Sequence, residues 1–219
     1  GADLRPRWRW INWEGDGFAF QTPHGSAVLH PKTVVLALGG ASWARLGSDA
    51  AWVPLLAEKG VKVTPFRPSN MGFRVDWSPH MTRHFGRPVK GVALCAGARR
   101  ERGEFVVSAK GIEGGGIYAV SGAVRDGAAL HLDLLPDLTL AQVEQALSRP
   151  QRKDTVANWL RKTLRLDPLK IALLQEWGRP LPQGGALAAL IKALPVRHSG
   201  PRPIDEAIST AGGVSWQSV

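Results

Sequence analysis

The sequence predicts an α+β fold. A β-meander and a few further strands carry an inserted, small β-barrel-like domain, which is itself interrupted by a helical subdomain. Three observations predict this. Strongly alternating residues with hairpin turns fill the stretch before Pro31. Several short strand-like runs, separated by polar, Gly-rich or Pro-containing pieces, follow from Ser69. From Thr139 onward the apolar residues recur at helical spacing.

The meander comes first. Arg7–Trp13 alternates and meets Glu14-Gly15-Asp16-Gly17; Gly17–Thr22 alternates again; Pro23-His24-Gly25 turns the chain into Ser26–His30. Trp8, Trp10, Trp13, Phe18 and Phe20 are expected to pack across these strands rather than to stack on bases. Thr33–Ser42, TVVLALGGAS, is a continuous apolar run ending in Gly-Gly. A strand buried on both faces reads this way as it enters a tight turn at its carboxyl end. Asp49–Gly60 predicts a helix with Ser48 or Asp49 as N-cap and Gly60 as the stop, and Pro54 predicts a late start or a bend. Val61–Thr64 is a strand, and Pro65–Pro68 is a crossing into the next domain.

Met71–Trp77, Val89–Ala96, Glu104–Val107 and Leu130–Leu135 are the barrel-like strands. Lys110–Gly127 holds a glycine cluster followed by IYAVSGAV, a short helix whose amino end is the cluster. Such an end is able to hold an anion, but glycine clusters more often serve turns. Thr139 caps the first helix of the next region. Asp154–Leu164, Pro168–Trp177 and Gly185–Leu194 complete about four short amphipathic helices, which must pack on each other and on the barrel. The chain returns to strand at Glu206–Val214, and Ile208–Ser215, ISTAGGVS, carries a second Gly-Gly turn.

Composition bounds the function. The chain of 219 residues is 44% hydrophobic and supports a core without staples. Its one cysteine, Cys95, excludes an intramolecular disulfide and fits a cytoplasmic setting. The sequence shows neither a signal peptide nor an apolar stretch of about 18 residues, so no membrane partner is expected. The net charge is +10, with arginine clusters at RPRWR, ARRER, RPQRK and RKTLR. Such clusters attract phosphate backbones, which makes RNA a candidate partner; a genome rich in arginine codons explains the same excess.

A Gly-Gly turn lets backbone N–H groups approach a ligand that a Cβ would repel, and a nucleotide or flavin is the usual ligand at the carboxyl ends of such strands. TVVLALGGAS, WARLGSDAAW and ISTAGGVSW, with RPSNMGFRVDW, HLDLLPDLTLAQVEQAL, DTVANWLRKTL, LAALIKALPV and IDEAISTAGGV between them, resemble the BaiN/RdsA-like family of NAD(P)/FAD-dependent oxidoreductases, in particular an uncharacterised proteobacterial subgroup. Members of that family open with a G-x-G-x-x-G turn for the FAD pyrophosphate, and no such turn occurs here. The resemblance therefore implies the central portion of a larger bacterial flavoprotein. It divides the chain into a partial FAD-binding domain over 1–66, an inserted barrel-like domain over 67–138, a helical subdomain over 139–196, and a return to barrel and FAD-domain strand over 197–219.

The resemblance also implies the site. Ala37, Leu38, Gly39, Gly40, Ala41 and Ser42 would lie against FAD, although the family usually has Thr at the position of Leu38. Thr210, Ala211, Gly212, Gly213 and Val214 would approach the isoalloxazine. FAD belongs to the full-length parent and is not expected to bind this chain tightly; NAD(P)H is a candidate electron donor. No catalytic residue is assigned, because a flavin supplies the redox chemistry and the protein holds and tunes it. The leading reading is an FAD-dependent oxidoreductase whose insert covers the flavin and shapes the substrate site, with the chain alone inactive. The alternatives are a basic RNA-binding module of a flavoenzyme that forms dihydrouridine in RNA, and a structural lid without its own ligand. No metal site is expected: His80 and His84 share a helical face only if that stretch is helical, and Cys95 reads as a buried, inert thiol. Asp133 and Asp137 flank Pro136 in a turn or cap, and Asp205-Glu206 is placed to orient a loop.

Overall fold

The computed structural model describes residues 1–218 and divides into two compact units. The first comprises Gly1–Pro68 and the stretch from Ile204 onward; the second is the continuous segment Ser69–Pro203. The second unit is therefore an insertion in the sequence of the first.

In the first unit, β1 (Arg9–Glu14), β2 (Gly17–Thr22) and β3 (Gly25–Leu29) form an antiparallel meander in sequence order. A bulge between Trp10 and Asn12 shifts the β1–β2 register. Trp10, Trp13 and Phe18 pack on one another at centroid distances of 4.9–5.6 Å, and Trp8 packs on Phe20 at 5.8 Å. The aromatic residues thus serve cross-strand packing, as expected. The helix α1 (Val53–Ala57) starts late because Pro54 occupies its first turn, where a missing N–H costs nothing. The Trp13 indole donates to the Leu55 carbonyl at 2.7 Å and ties α1 to the meander. The last two strands of this unit, β4 (Val63–Ser69) and β11 (Ser209–Val214), pair as a two-stranded ribbon. Pro65 and Pro68 thus lie within a strand rather than in a crossing, which is tolerated because β4 has a single neighbour.

Thr33–Leu38 departs from expectation. It forms no strand, and Val34, Val35 and Leu36 are exposed, Val35 by 86%. A doubly buried strand needs ladder partners on both edges, and no described strand pairs with this segment. The buried apolar side chains of the first unit are few: Ala19, Leu56 and Ala207.

The second unit is built differently. Its sheet is a curled half-barrel of six strands in the order β10-β9-β6-β7-β8-β5, every neighbouring pair antiparallel. Its strands are β5 (Phe73–Arg74), β6 (Arg87–Ala96), β7 (Arg99–Ser108), β8 (Gly111–Glu113), β9 (Leu130–Asp133) and β10 (Leu194–Pro195). Only two residues of the expected Met71–Trp77 strand join the ladder. In contrast, β6 and β7 run longer than their apolar runs, because each supplies the other's hydrogen bonds around the turn at Gly97. The mixed α/β architecture, a barrel-like sheet with several helices, is the fold class the sequence predicts.

The helix α2 (Gly115–Arg125) lies against β6 and β7, with Gly114 as N-cap at φ 107°. A Cβ on Gly116 would meet Leu94 Cδ1 at 2.7 Å and the Glu104 carbonyl at 2.8 Å. The glycine cluster thus serves a turn and the close approach of helix to sheet.

Four further helices follow: α3 (Leu140–Leu147), α4 (Val156–Leu164), α5 (Pro168–Gly178) and α6 (Gly184–Lys192). Thr139 and Gln142 form a reciprocal capping box at the start of α3, while Thr155 and Asp167 cap α4 and α5. The core of this unit includes Phe73, Phe105, Leu94, Ile117, Leu132 and Leu160, all less than 2% exposed. Burial of each such side chain contributes about 1.5–3 kcal/mol before the ordering entropy is subtracted.

Charged groups also hold sheet and helices together. Asp133, 1% exposed, accepts from Arg100 and Lys192, both at 2.9 Å. The Lys170 ammonium donates to the carbonyls of Gly91, at the β6 bulge, and Leu134. Burial pushes the Lys170 pKa down, against the opposing pull of Asp167, Asp137 and Asp133. Asp133 is therefore a buried counter-ion for two cations, rather than half of a pair with Asp137 flanking Pro136; Asp137 pairs separately with Arg102. Cys95 is half-buried and accepts from Arg100 at 3.4 Å, so it is less enclosed than its apolar run implies.

Candidate functional site

The two glycine turns come together. Ala37, Leu38, Gly39, Gly40 and Ser42 from the first, and Thr210, Gly212, Gly213 and Val214 from the second, line one cavity of about 970 Å³ within the first unit. Ala41 and Ala211 lie outside the lining. The remaining wall includes Ser48, Trp52, Leu56, Val61 and Phe66; Ser48 and Trp52 belong to the WARLGSDAAW segment, but the sequence reading placed none of the five at the site.

The approach of the two turns depends on missing side chains. A Cβ on Gly40 would overlap the Thr210 hydroxyl. At Gly212, with φ 104°, a Cβ would meet the Pro65 carbonyl at 2.5 Å and the Thr64 carbonyl at 2.9 Å. Gly39 also takes a left-handed φ of 74°. Glycine at 40 and 212 is therefore required by packing against Thr210 and the β4 carbonyls, and glycine suits the left-handed backbone at 39 and 212.

A frame of hydrogen bonds holds the turns. The Trp52 indole donates to the Gly39 carbonyl at 3.2 Å, and the Ala50 amide donates to the Gly40 carbonyl at 3.1 Å. Trp52 meets Phe66 edge-to-face at 5.9 Å. Trp43 directly follows Ser42 and adopts a left-handed backbone, φ 63° and ψ 49°, costly for a bulky residue. Its indole donates to the Ala207 carbonyl at 2.9 Å, and the next amide, Ala44, donates to Asp205 Oδ1 at 2.6 Å. Asp205 thus orients the loop after the first turn, the role its position implied. The cavity has both polar and apolar walls, and its size lies in the range of small-molecule and cofactor sites.

The metal geometry considered for His80 and His84 fails at its premise. Both belong to the 3₁₀ turn Pro79–His84, where residues four apart do not share a face. His80 is exposed and His84 is buried. Burial, with Arg83 and Arg87, pushes the His84 imidazole below its usual range. Several of the basic residues that would mark an RNA surface face carboxylates instead: Arg100 pairs with Asp133, Arg102 with Asp137 and Lys162 with Asp154. Among the described residues, no helix is long and apolar enough to cross a membrane.

Residues 67–209 match the family model for the HI0933-like protein barrel and H2TH domain. The chain belongs to the HI0933-like family. The curled sheet and the helices α3–α6 of this HI0933-like chain agree with that description of a barrel plus H2TH domain. The family is associated with the insert domains of BaiN/RdsA-like flavoproteins. Both glycine turns of the HI0933-like chain, over 37–42 and 210–214, lie outside the matched residues. No curated protein matched the chain.

Proposed function

We propose that this HI0933-like chain is the central portion of a BaiN/RdsA-like FAD-dependent oxidoreductase. In this reading the cavity of the first unit is part of the flavin bed, and the inserted second unit is its substrate-selecting domain. The observation that carries the proposal is that two glycine turns from opposite ends of the chain line one cavity, at positions where a Cβ would collide.

The residues present fit a flat heteroaromatic group. Gly39, Gly40, Gly212 and Gly213 let backbone come close to a planar face, and Trp52 and Phe66 supply aromatic wall. When bound, a flavin supplies hydride and electron transfer between a donor and a substrate. The chain's own part is to hold the ring, present backbone donors to its polar edge and keep water from its face. Ser48 and Thr210 add hydroxyls beside the glycines. The thin core of the first unit and the exposed Val34–Leu36 run support the reading that further chain completes this domain. FAD in that parent and NAD(P)H as donor belong to the same proposal.

The test is the visible spectrum of the full-length protein after purification and after incubation with FAD. Flavin absorption that is lost when Gly212 is changed to Val supports the reading. A colourless protein that FAD does not reconstitute overturns it.

A further inference from the structure

A second site lies within the second unit and shares no lining residue with the cavity of the first. The 3₁₀ turn Pro79–His84 is clamped to α5. Trp77 stacks on Trp177 at 5.4 Å, and the Ser78 amide and hydroxyl donate to the two oxygens of Glu176 at 2.7 and 2.6 Å. Between turn and helix is a cleft of about 470 Å³ lined by His80, Arg83, Arg179 and Arg197, among others.

The cleft carries an excess of positive charge, three arginines against the single carboxylate of Glu176. Among the described residues, none of the three arginines makes an ion pair. Arg83 donates through Nε to the His84 imidazole at 3.3 Å, Arg179 donates through Nη2 to the neutral Gln175 amide at 3.1 Å, and Arg197 has no partner. Glu176 is the one carboxylate in the lining, and both its oxygens are already engaged by Ser78. Elsewhere in this unit Arg100, Arg102, Arg125 and Arg202 face carboxylates. Their contacts on neutral acceptors orient Arg83 and Arg179 and leave further N–H groups unused. A guanidinium presents planar, paired donors that match the oxygens of a phosphate.

We propose that this cleft binds the phosphomonoester of a nucleotide-sized ligand, with Arg83, Arg179 and Arg197 as its anion clamp. The volume admits more than the phosphate, and Met81 and Ala172 give the body of the ligand an apolar wall. His80 is exposed and lines the same cleft.

The test is equilibrium binding of AMP to the 219-residue chain, with adenosine, inorganic phosphate and a single-stranded oligonucleotide lacking terminal phosphates as competitors. Saturable AMP binding that inorganic phosphate displaces and adenosine does not is expected. Arg197→Ala should raise the Kd at least about tenfold, and Arg197→Lys should restore part of the loss. All three arginines are exposed, and melting curves verify that the variants fold. Absence of AMP binding, equal competition by adenosine, an unchanged Kd in both Arg197→Ala and Arg83→Ala, or preference for the oligonucleotide over AMP each overturns the proposal. The readout does not involve flavin, so it stands or falls apart from the reading of the first unit.

Discussion

Gly40 abuts the Thr210 side chain so closely that any Cβ at position 40 would occupy the space of the Thr210 hydroxyl. The two glycine turns are therefore coupled by contact as well as by sharing a cavity. Gly40→Ala should destabilise the first unit by about 1–3 kcal/mol, the usual range for overpacking. Thr210→Ala removes the obstructing oxygen, so the double variant should recover much of that loss. Urea unfolding followed by tryptophan fluorescence measures the double-mutant cycle. Strictly additive effects of the two substitutions would show that the contact does not exist.

Asp133 offers a prediction for the second unit. Its carboxylate is almost fully buried and serves Arg100, Lys192 and the Leu135 amide, the last at 3.0 Å. Asp133→Ala removes the counter-ion of two cations, which keep only neutral acceptors, and leaves the Leu135 amide without its acceptor, at a cost of about 3 kcal/mol. Asp133→Asn keeps an acceptor oxygen and should cost less. Thermal unfolding ranks the two; equal melting temperatures for wild type and Asp133→Ala would contradict the assignment.

Two histidines, His84 buried and His198 half-buried, predict an acid limb. Burial, then Arg83 and Arg87, lower the His84 pKa from its ordinary 6.5, against Asp167, and burial lowers His198 in the same direction. Below about pH 6.5 an unfolded chain takes up protons that the folded chain refuses. Stability should therefore fall as the pH drops from 6.5 toward the lowered folded values, and this contribution should be flat above 6.5. His84 Nε2 accepts from Arg83 Nε at 3.3 Å, and protonation would remove that lone pair, so the neutral ring is the one the site accepts. In melting temperatures between pH 7.5 and pH 5, His84→Phe should lose less than wild type. An equal or larger loss would remove His84 from the explanation.

Much of the architecture was legible because it is written in local chemistry. The meander follows from alternation and the turns at Gly15 and Gly25, and the start of α3 from Thr139 and Gln142. Thr155, Asp167, Pro54 and the cluster ending at Gly116 act where short-range rules put them. Sequence also singled out both glycine turns, since a Gly-Gly pair after an apolar run has few local explanations.

What the tertiary structure alone decided was non-local. Thr33–Leu38 has the composition of a buried strand, but a strand exists only where a ladder partner exists, and the described chain gives it none. Trp52, Phe66 and Ser48 entered the cavity through packing that no periodicity encodes, and Arg83, Arg179 and Arg197 converge across long separations in the chain. Capping and turn formation act over a few residues, so the sequence by itself determined them; pairing, burial and the meeting of charges depend on distances that only the folded chain sets.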